Sequence, residues 1–302
     1  MNTVDLSTLP APQVLEDLDF EAIYAEELLA FRQYMGDNWS APLESDPVVK
    51  LLELGAYRRL LNRARVNDAA KALLLAYAED ADLDQLAANV TLERLAIQAG
   101  DMHAMPVVAP ALESDDALRE RIQLVYEGLT TAGPRNSYIL HARNASALVG
   151  DATAESPAPA EAVITVQHLT GNGVAEQALL DTVAAHLNDD DIRPVADRVT
   201  VQSTEVLEYR IEAVVYMAGT GSENEAILAE CERRLAKWIN PRRRLGVEVA
   251  RSAVDAQLHI SGVRRVELIG WVDLTPGKHQ SAYCTAFTLT QGAQHAQPVA
   301  PQ

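Results

Sequence analysis

The sequence predicts an α+β protein in which a region of long helices precedes a C-terminal domain of split βαβ (βαββαβ-like) type. Three observations predict it. Apolar residues recur at threes and fours through most of the first 150 positions. A short proline-rich stretch, Glu155-Ser156-Pro157-Ala158-Pro159-Ala160, then breaks the pattern. Beyond it, alternating strand patterns and helical patterns follow one another as strand–helix–strand, twice over.

The elements follow in chain order. Asp19 is placed to cap a helix from Phe20 to about Met35, on which Phe20, Ile23, Tyr24, Leu28, Phe31 and Tyr34 form one apolar face before Gly36 stops it. Asp46-Pro47 is a stronger start, because a proline at the first helical position gives up an N–H that has no partner there. The pattern from Pro47 runs unbroken to Tyr77, a rod of about 46 Å. A helix of that length without internal caps points to a bundle or coiled-coil element. Leu51, Leu54, Tyr57 and Leu61 on it are the candidate partner contacts, and Arg58, Arg59, Arg63 and Arg65 form either a solvated face or a further contact.

Asp80 to Asn89 reads as a short helix, and the segment through Pro106 and Pro110 as a looser connection. Ser114-Asp115-Asp116 puts a hydroxyl cap and two acids at the positive end of a helix expected to reach Leu129. After Gly133-Pro134, Asn136 or Ser137 is placed to cap a helix to about Leu148. Past residue 160 the expected elements are strand Ala162–Gln167, helix Val174–Leu187, strands Arg198–Gln202 and Leu207–Met217, helix Glu223–Ile239, a short helix Arg251–His259, and strands Val263–Val272 and Tyr283–Thr290. The organisation expected is thus a helical arm joining a core bundle (1–78), a helical middle region (79–154), a linker (155–160), an α+β domain (161–291) and a disordered tail (292–302).

Composition excludes several classes of partner. Forty-three acids against 25 bases give a formal charge of −18 at pH 7, a surface that repels nucleic-acid phosphates and anionic lipid. No apolar run approaches the roughly 20 residues needed to cross a bilayer. The first residues carry Asp5 where the basic region of a secretory signal would stand, so folding in the cytoplasm, with Cys231 and Cys284 as free thiols, is expected.

Motifs that carry chemistry are scarce. The seven histidines show no HxxxH or HExxH spacing, so no zinc site is expected. Asp189-Asp190-Asp191 lacks the alternating oxygens and later Glu of a calcium loop and reads as a turn after a helix. Gly171-Asn172-Gly173 is an incomplete phosphate-loop fragment that suits a tight turn. No catalytic, cofactor-binding or metal residues are assigned. Arg242, Arg243 and Arg244, a compact basic run after Pro241, read as a helix-end cluster or a contact for an acidic subunit.

A series of segments goes further. Leu9-Pro10-Ala11-Pro12 with Leu18-Asp19-Phe20-Glu21 opens it, followed by Leu83-Asp84-Gln85-Leu86-Ala87-Ala88-Asn89 and Glu113-Ser114-Asp115. Arg119-x-Arg121-Ile122 and Gly128-Leu129 lead to Ala132-Gly133-Pro134. The run from Asp191 to Gln202, then Arg243-Arg244-Leu245-Gly246, Gly262-Val263, Val266-Glu267-Leu268 and Ala282-Tyr283-Cys284-Thr285 complete it. In this order, from about Leu6 to Gln291, the sequence resembles the baseplate assembly protein J family of contractile-tailed phages.

The resemblance implies a structural wedge subunit and no enzyme. Two copies in different conformations would join a second wedge protein of the baseplate protein I type and a small wedge protein of the baseplate protein W type. Six wedges would close a ring around the tail hub and rearrange on contraction. N-terminal helices would gather in a bundle, and residues 161–291 would pair neighbouring wedges. The same role exists in headless R-type bacteriocin particles. Two other classes stay open at this point: a hydrolase with a cryptic carboxylate pair, and a small-ligand module using the Gly171–Gly173 turn.

Overall fold

Each turn of backbone that leaves a helix or strand must find partners for its polar groups, and in this chain those partners decide where the elements end. A computed structural model describes residues 5–10, 12–36, 39, 43, 46–101, 103–129, 133–219, 221, 223–240 and 243–292. The protein is α+β, and it divides into two compact units, Met1–Arg94 with Ser114–Gln123, and Leu95–Glu113 with Leu124–Gln302.

Among the described residues the first unit holds a 3-10 turn at Leu6–Thr8 and four α-helices: α1 (Phe20–Met35), α2 (Pro47–Ala72), α3 (Asp80–Ala88) and most of α4 (Asp115–Leu124). The Asp19 carboxylate accepts from the Glu21 N–H, and the Asp46 carboxylate from the Val48 N–H with Pro47 in the first turn, as the sequence predicts. Helix α1 packs along α2. Buried Val49 and Ala56 with half-buried Leu52 and Leu60 form the packed face of α2, and Asn67 clasps the Glu16 backbone through both its amide groups, at 2.8 and 3.1 Å.

Helix α2 ends at Ala72, short of the expected Tyr77, and at about 39 Å is still long. The reason is Arg119 of α4. Its guanidinium takes the carbonyls of Leu75 and Ala78 at 2.8 and 2.7 Å, so these oxygens are satisfied outside a helix. Arg94 likewise binds Asp84 and Asp115 at 2.7 and 2.8 Å, tying α3 to the start of α4. Helix α4 stops at Leu124 and tightens into a 3-10 turn over Val125–Leu129, instead of running on as α-helix.

The second unit departs further from expectation. The segment read as loose is a β-hairpin, β1 (Ala96–Gln98) against β2 (Ala111–Leu112). Helix α5 (Arg135–Ala145) starts after Pro134 without a side-chain cap, so neither Asn136 nor Ser137 caps it. It ends well before Leu148, because β3 (Val149–Glu155) begins there. Strand β3 pairs antiparallel with β4 (Glu161–His168), and β4 runs parallel to β5 (Arg198–Ser203) through the crossover helix α6 (Gln177–Leu187). The prolines at 157 and 159 therefore sit in a hairpin turn within one sheet, not in a linker between domains, and the middle region is not wholly helical.

In place of one βαββαβ sheet, the described residues after β2 form two sheets of three strands. The second is built from β6 (Glu205–Met217), β7 (Val263–Leu268) and β8 (Gln280–Gln291) in the order β7-β6-β8, with α7 (Glu223–Trp238) and α8 (Arg251–Leu258) packed beside it. Each sheet has its own apolar core. Ile164, Val166, Val183 and Leu187 centre one, and Ile211, Val215, Cys231, Leu235, Val254 and Leu258 the other. A single residue, buried Thr204, separates β5 from β6. The tail expected to be disordered lies, from residue 293, outside the described residues.

Candidate functional site

Helix α2 has two apolar faces. Leu51, Leu54, Tyr57 and Leu61 are 67%, 45%, 52% and 48% exposed. At 3.6 residues per turn they fall on one side of the helix, opposite the face that meets α1. Large apolar side chains kept about half or more in water over three turns are what a helix shows when something outside its own unit is meant to cover it. Of the four arginines on this helix, Arg59 pairs with Glu26 and Glu27 at 3.2 and 3.1 Å, and Arg63 with Glu16 at 2.8 Å. These two serve the unit's own packing. Arg58 and Arg65 remain exposed.

The basic run after α7 is placed differently from the positive rim the sequence suggests. Arg242 lies outside the described residues. Arg243 is half-buried, its guanidinium carbon 5.6 Å from the centre of the Tyr283 ring, with Nη2 donating at 3.5 Å to the carbonyls of His168 and Thr170. Burial pulls its pKa down from the usual value. Arg244 donates to the Gly150 carbonyl at 3.4 Å, and the next N–H, of Leu245, reaches the Asp151 carboxylate at 2.9 Å.

Asp151 is the centre that sequence reasoning missed. It is 2% exposed and also accepts from the Ala152 N–H at 3.0 Å. Burial pushes its carboxyl up, against the opposing pull of Arg244 and of buried Arg143 on α5. Since Leu245 also bridges to Ser281 on β8, the carboxylate fastens the first sheet to the second. The only signal in the sequence was a polar residue at an inward-facing strand position. Tyr138 on α5 and Asp197, just before β5, form a tie within the first sheet's layer: the phenol donates to the carboxylate at 2.6 Å, and burial, aided by that carboxylate, raises the phenol pKa.

None of these groups forms a catalytic set. Among the described residues, burial raises the Asp151 carboxyl, whose oxygens are held by backbone N–H groups, whereas Asp115 and Glu230 are shifted downward. A carboxylate hydrolase needs a pair of acids with pKa values driven apart, whereas these three sit on separate elements among the described residues, α4, β3 and α7. No group of three or more His, Cys, Asp and Glu side chains there could hold a metal. The Asp189–Asp191 cluster folds as a turn, with the Asp191 N–H on the Asp189 carboxylate at 2.9 Å. Gly171 and Gly173, at φ +66° and +97°, close the turn between β4 and α6. No helix of the described residues is long and apolar enough to cross a membrane.

The Baseplate J-like N-terminal domain matches residues 44–101, and the Baseplate J-like central domain matches residues 130–203. Baseplate protein J of Escherichia phage P2 is 43% identical over 299 residues, covering 97% of this chain and 99% of that protein. The chain belongs to the baseplate protein J family. In baseplate J terms, the N-terminal match takes in α2 with its exposed face, and the central match takes in α5 and the whole β3-β4-β5 sheet. The second sheet follows these two domains and lies within the span of the alignment to the phage P2 protein.

Proposed function

We propose that the chain is a structural subunit of the baseplate of a contractile phage tail or tail-like particle. The observation that carries the reading is the alignment to a phage baseplate protein J at 43% identity along essentially the full length of both chains. In this reading the subunit assembles in the bacterial cytoplasm and then resides in the particle. It joins a second wedge protein of the baseplate protein I type, a small one of the W type and further copies of itself, and six such wedges ring the tail hub and rearrange on contraction. Residues 1–78 enter a helical bundle with neighbouring subunits, and residues 161–291 carry contact between wedges. The role asks for no cofactor and no catalysis.

The exposed face of α2 supports the bundle part of this reading: its apolar stripe has no cover within the described residues of its own unit. Leu61→Asp tests it. Leu61 is 48% exposed, so the substitution should shift the melting temperature of the isolated full chain by no more than a degree or two. Co-expressed with the neighbouring baseplate genes, the variant should fail to co-purify with them. Normal co-purification at working concentrations would remove α2 from the interface.

A further inference from the structure

Strand β8 is a sheet edge of unusual composition. Its twelve residues, Gln280–Gln291, read QSAYCTAFTLTQ, without a charged side chain or a proline, in a chain of formal charge −18. Edges are normally blunted by charge, proline or a covering element. The other outer strands of the two sheets follow that rule: β7 carries Arg264, Arg265 and Glu267, β5 opens on Arg198, and β3 holds Asp151 and Glu155. The chain itself blocks the first part of β8. Leu245 bridges to Ser281, the Gly246 N–H binds the Gln280 carbonyl at 2.9 Å, and the Asn240 side chain both donates to and accepts from the Cys284 backbone at 2.9 Å. From Thr285 to Gln291 no described segment pairs with the outer edge, although the inner edge is laddered to β6 along this length.

We propose that residues 285–291 pair antiparallel with the same residues of a second copy of this chain, joining two three-stranded sheets into one of six. Three features select a second copy as the occupant. Antiparallel pairing of a strand with itself is two-fold symmetric, so one surface suffices for both partners. An uncharged edge lets two copies meet without like charges opposed, which most of so acidic a surface does not offer. Thr288 and Thr290 are exposed on one face, where cross-strand threonine pairs form well, and Leu289 with half-buried Phe287 lies on the other, where pairing extends the apolar core beneath the sheet. The proposal deepens the baseplate reading, since it rests on copies of the chain meeting in the particle, and it names the strand through which they meet.

The test uses the full-length chain. Sedimentation across a concentration series should show reversible dimers, and Thr288→Lys, which sets two cations against each other at an exposed position, should weaken dimerisation at least tenfold with an unchanged melting curve. Thr288→Cys should give an oxidised dimer that wild type, with Cys231 and Cys284 buried, does not. A wild-type chain that stays monomeric, a lysine variant that dimerises as well as wild type, or a cysteine variant that stays uncrosslinked each overturns the proposal. So would dimers that form only after removal of residues 293–302, because the chain's own terminus would then be the occupant. Co-purification with the other baseplate proteins is scored separately. If it persists while no β8 dimer forms, the edge assignment alone fails; its loss in the wild-type chain would fail the baseplate reading.

Discussion

Removing the Asp151 carboxylate should cost more than almost any other single change in the second unit. In Asp151→Ala two N–H groups, of Leu245 and Ala152, lose their acceptor at a site 2% exposed, and Arg143, itself 4% exposed, loses a nearby counter-charge. An orphaned buried N–H costs about 1–3 kcal/mol, and two lose their acceptor here, so about 2–5 kcal/mol is expected in total. Asp151→Asn keeps one acceptor oxygen for Leu245 and should cost about 1–3 kcal/mol. Urea unfolding of the full chain measures the loss, and native-state hydrogen exchange localises it, with the Leu245 amide exchanging roughly a hundredfold faster in the alanine variant. If the alanine variant lies within about 1 kcal/mol of wild type and the Leu245 amide keeps its protection, the two sheets are not fastened through this carboxylate.

Tyr138→Phe should lower stability by about 1–2 kcal/mol, the value of a hydrogen bond to a partly exposed carboxylate, read as a lower melting temperature. His141 on α5 and His186 on α6 give the fold a pH dependence. Their rings lie 5.9 Å apart, and burial lowers both pKa values from the ordinary 6.5, with the neighbouring charge for His141 only raising the cost of protonation and the Gly128 carbonyl and Asp189 opposing the shift. The unfolded chain therefore binds protons first, so this contribution to stability is whole above pH 6.5 and is lost as pH falls below it through the folded values. Melting curves from pH 7.5 down to 5 should show the decline, and it should flatten in the His141→Gln, His186→Gln double variant.

What the sequence made legible was what depends on neighbours along the chain. The Asp19 and Asp46 caps, the start of α4 at Ser114 and the turn at Gly171–Gly173 are all set by local rules. The errors came from distant partners. Helix α2 stops where Arg119, more than 40 positions later, collects its carbonyls. Prolines 157 and 159 looked like a linker because turn chemistry is the same inside a hairpin as between domains. Strand–helix–strand repeated twice fits one sheet or two, and pairing register over 40 to 80 residues has no local signature. The candidate surfaces divided on the same line. Leu51, Leu54, Tyr57 and Leu61 follow from helical periodicity and lie exposed on one side of α2, whereas Arg243 and Arg244 are drawn inward by carbonyls of the β3 and β4 region that no local pattern announces.

Thr204 makes β5 and β6 nearly one extended line of chain from Arg198 to Met217, about 65 Å if straight. The line is riveted midway, where the Thr204 N–H holds the Val166 carbonyl and its hydroxyl holds His279 and Ser281. On either side of the rivet it lies parallel to a neighbour, β4 at one end and β8 at the other. Tension drawn along such a line loads the rungs of both ladders in shear, many at once, instead of peeling them open one by one. The two sheets would then carry a pull as a single tendon, and the short joint that looks like the weakest place in the unit would be where the load passes from one core to the other.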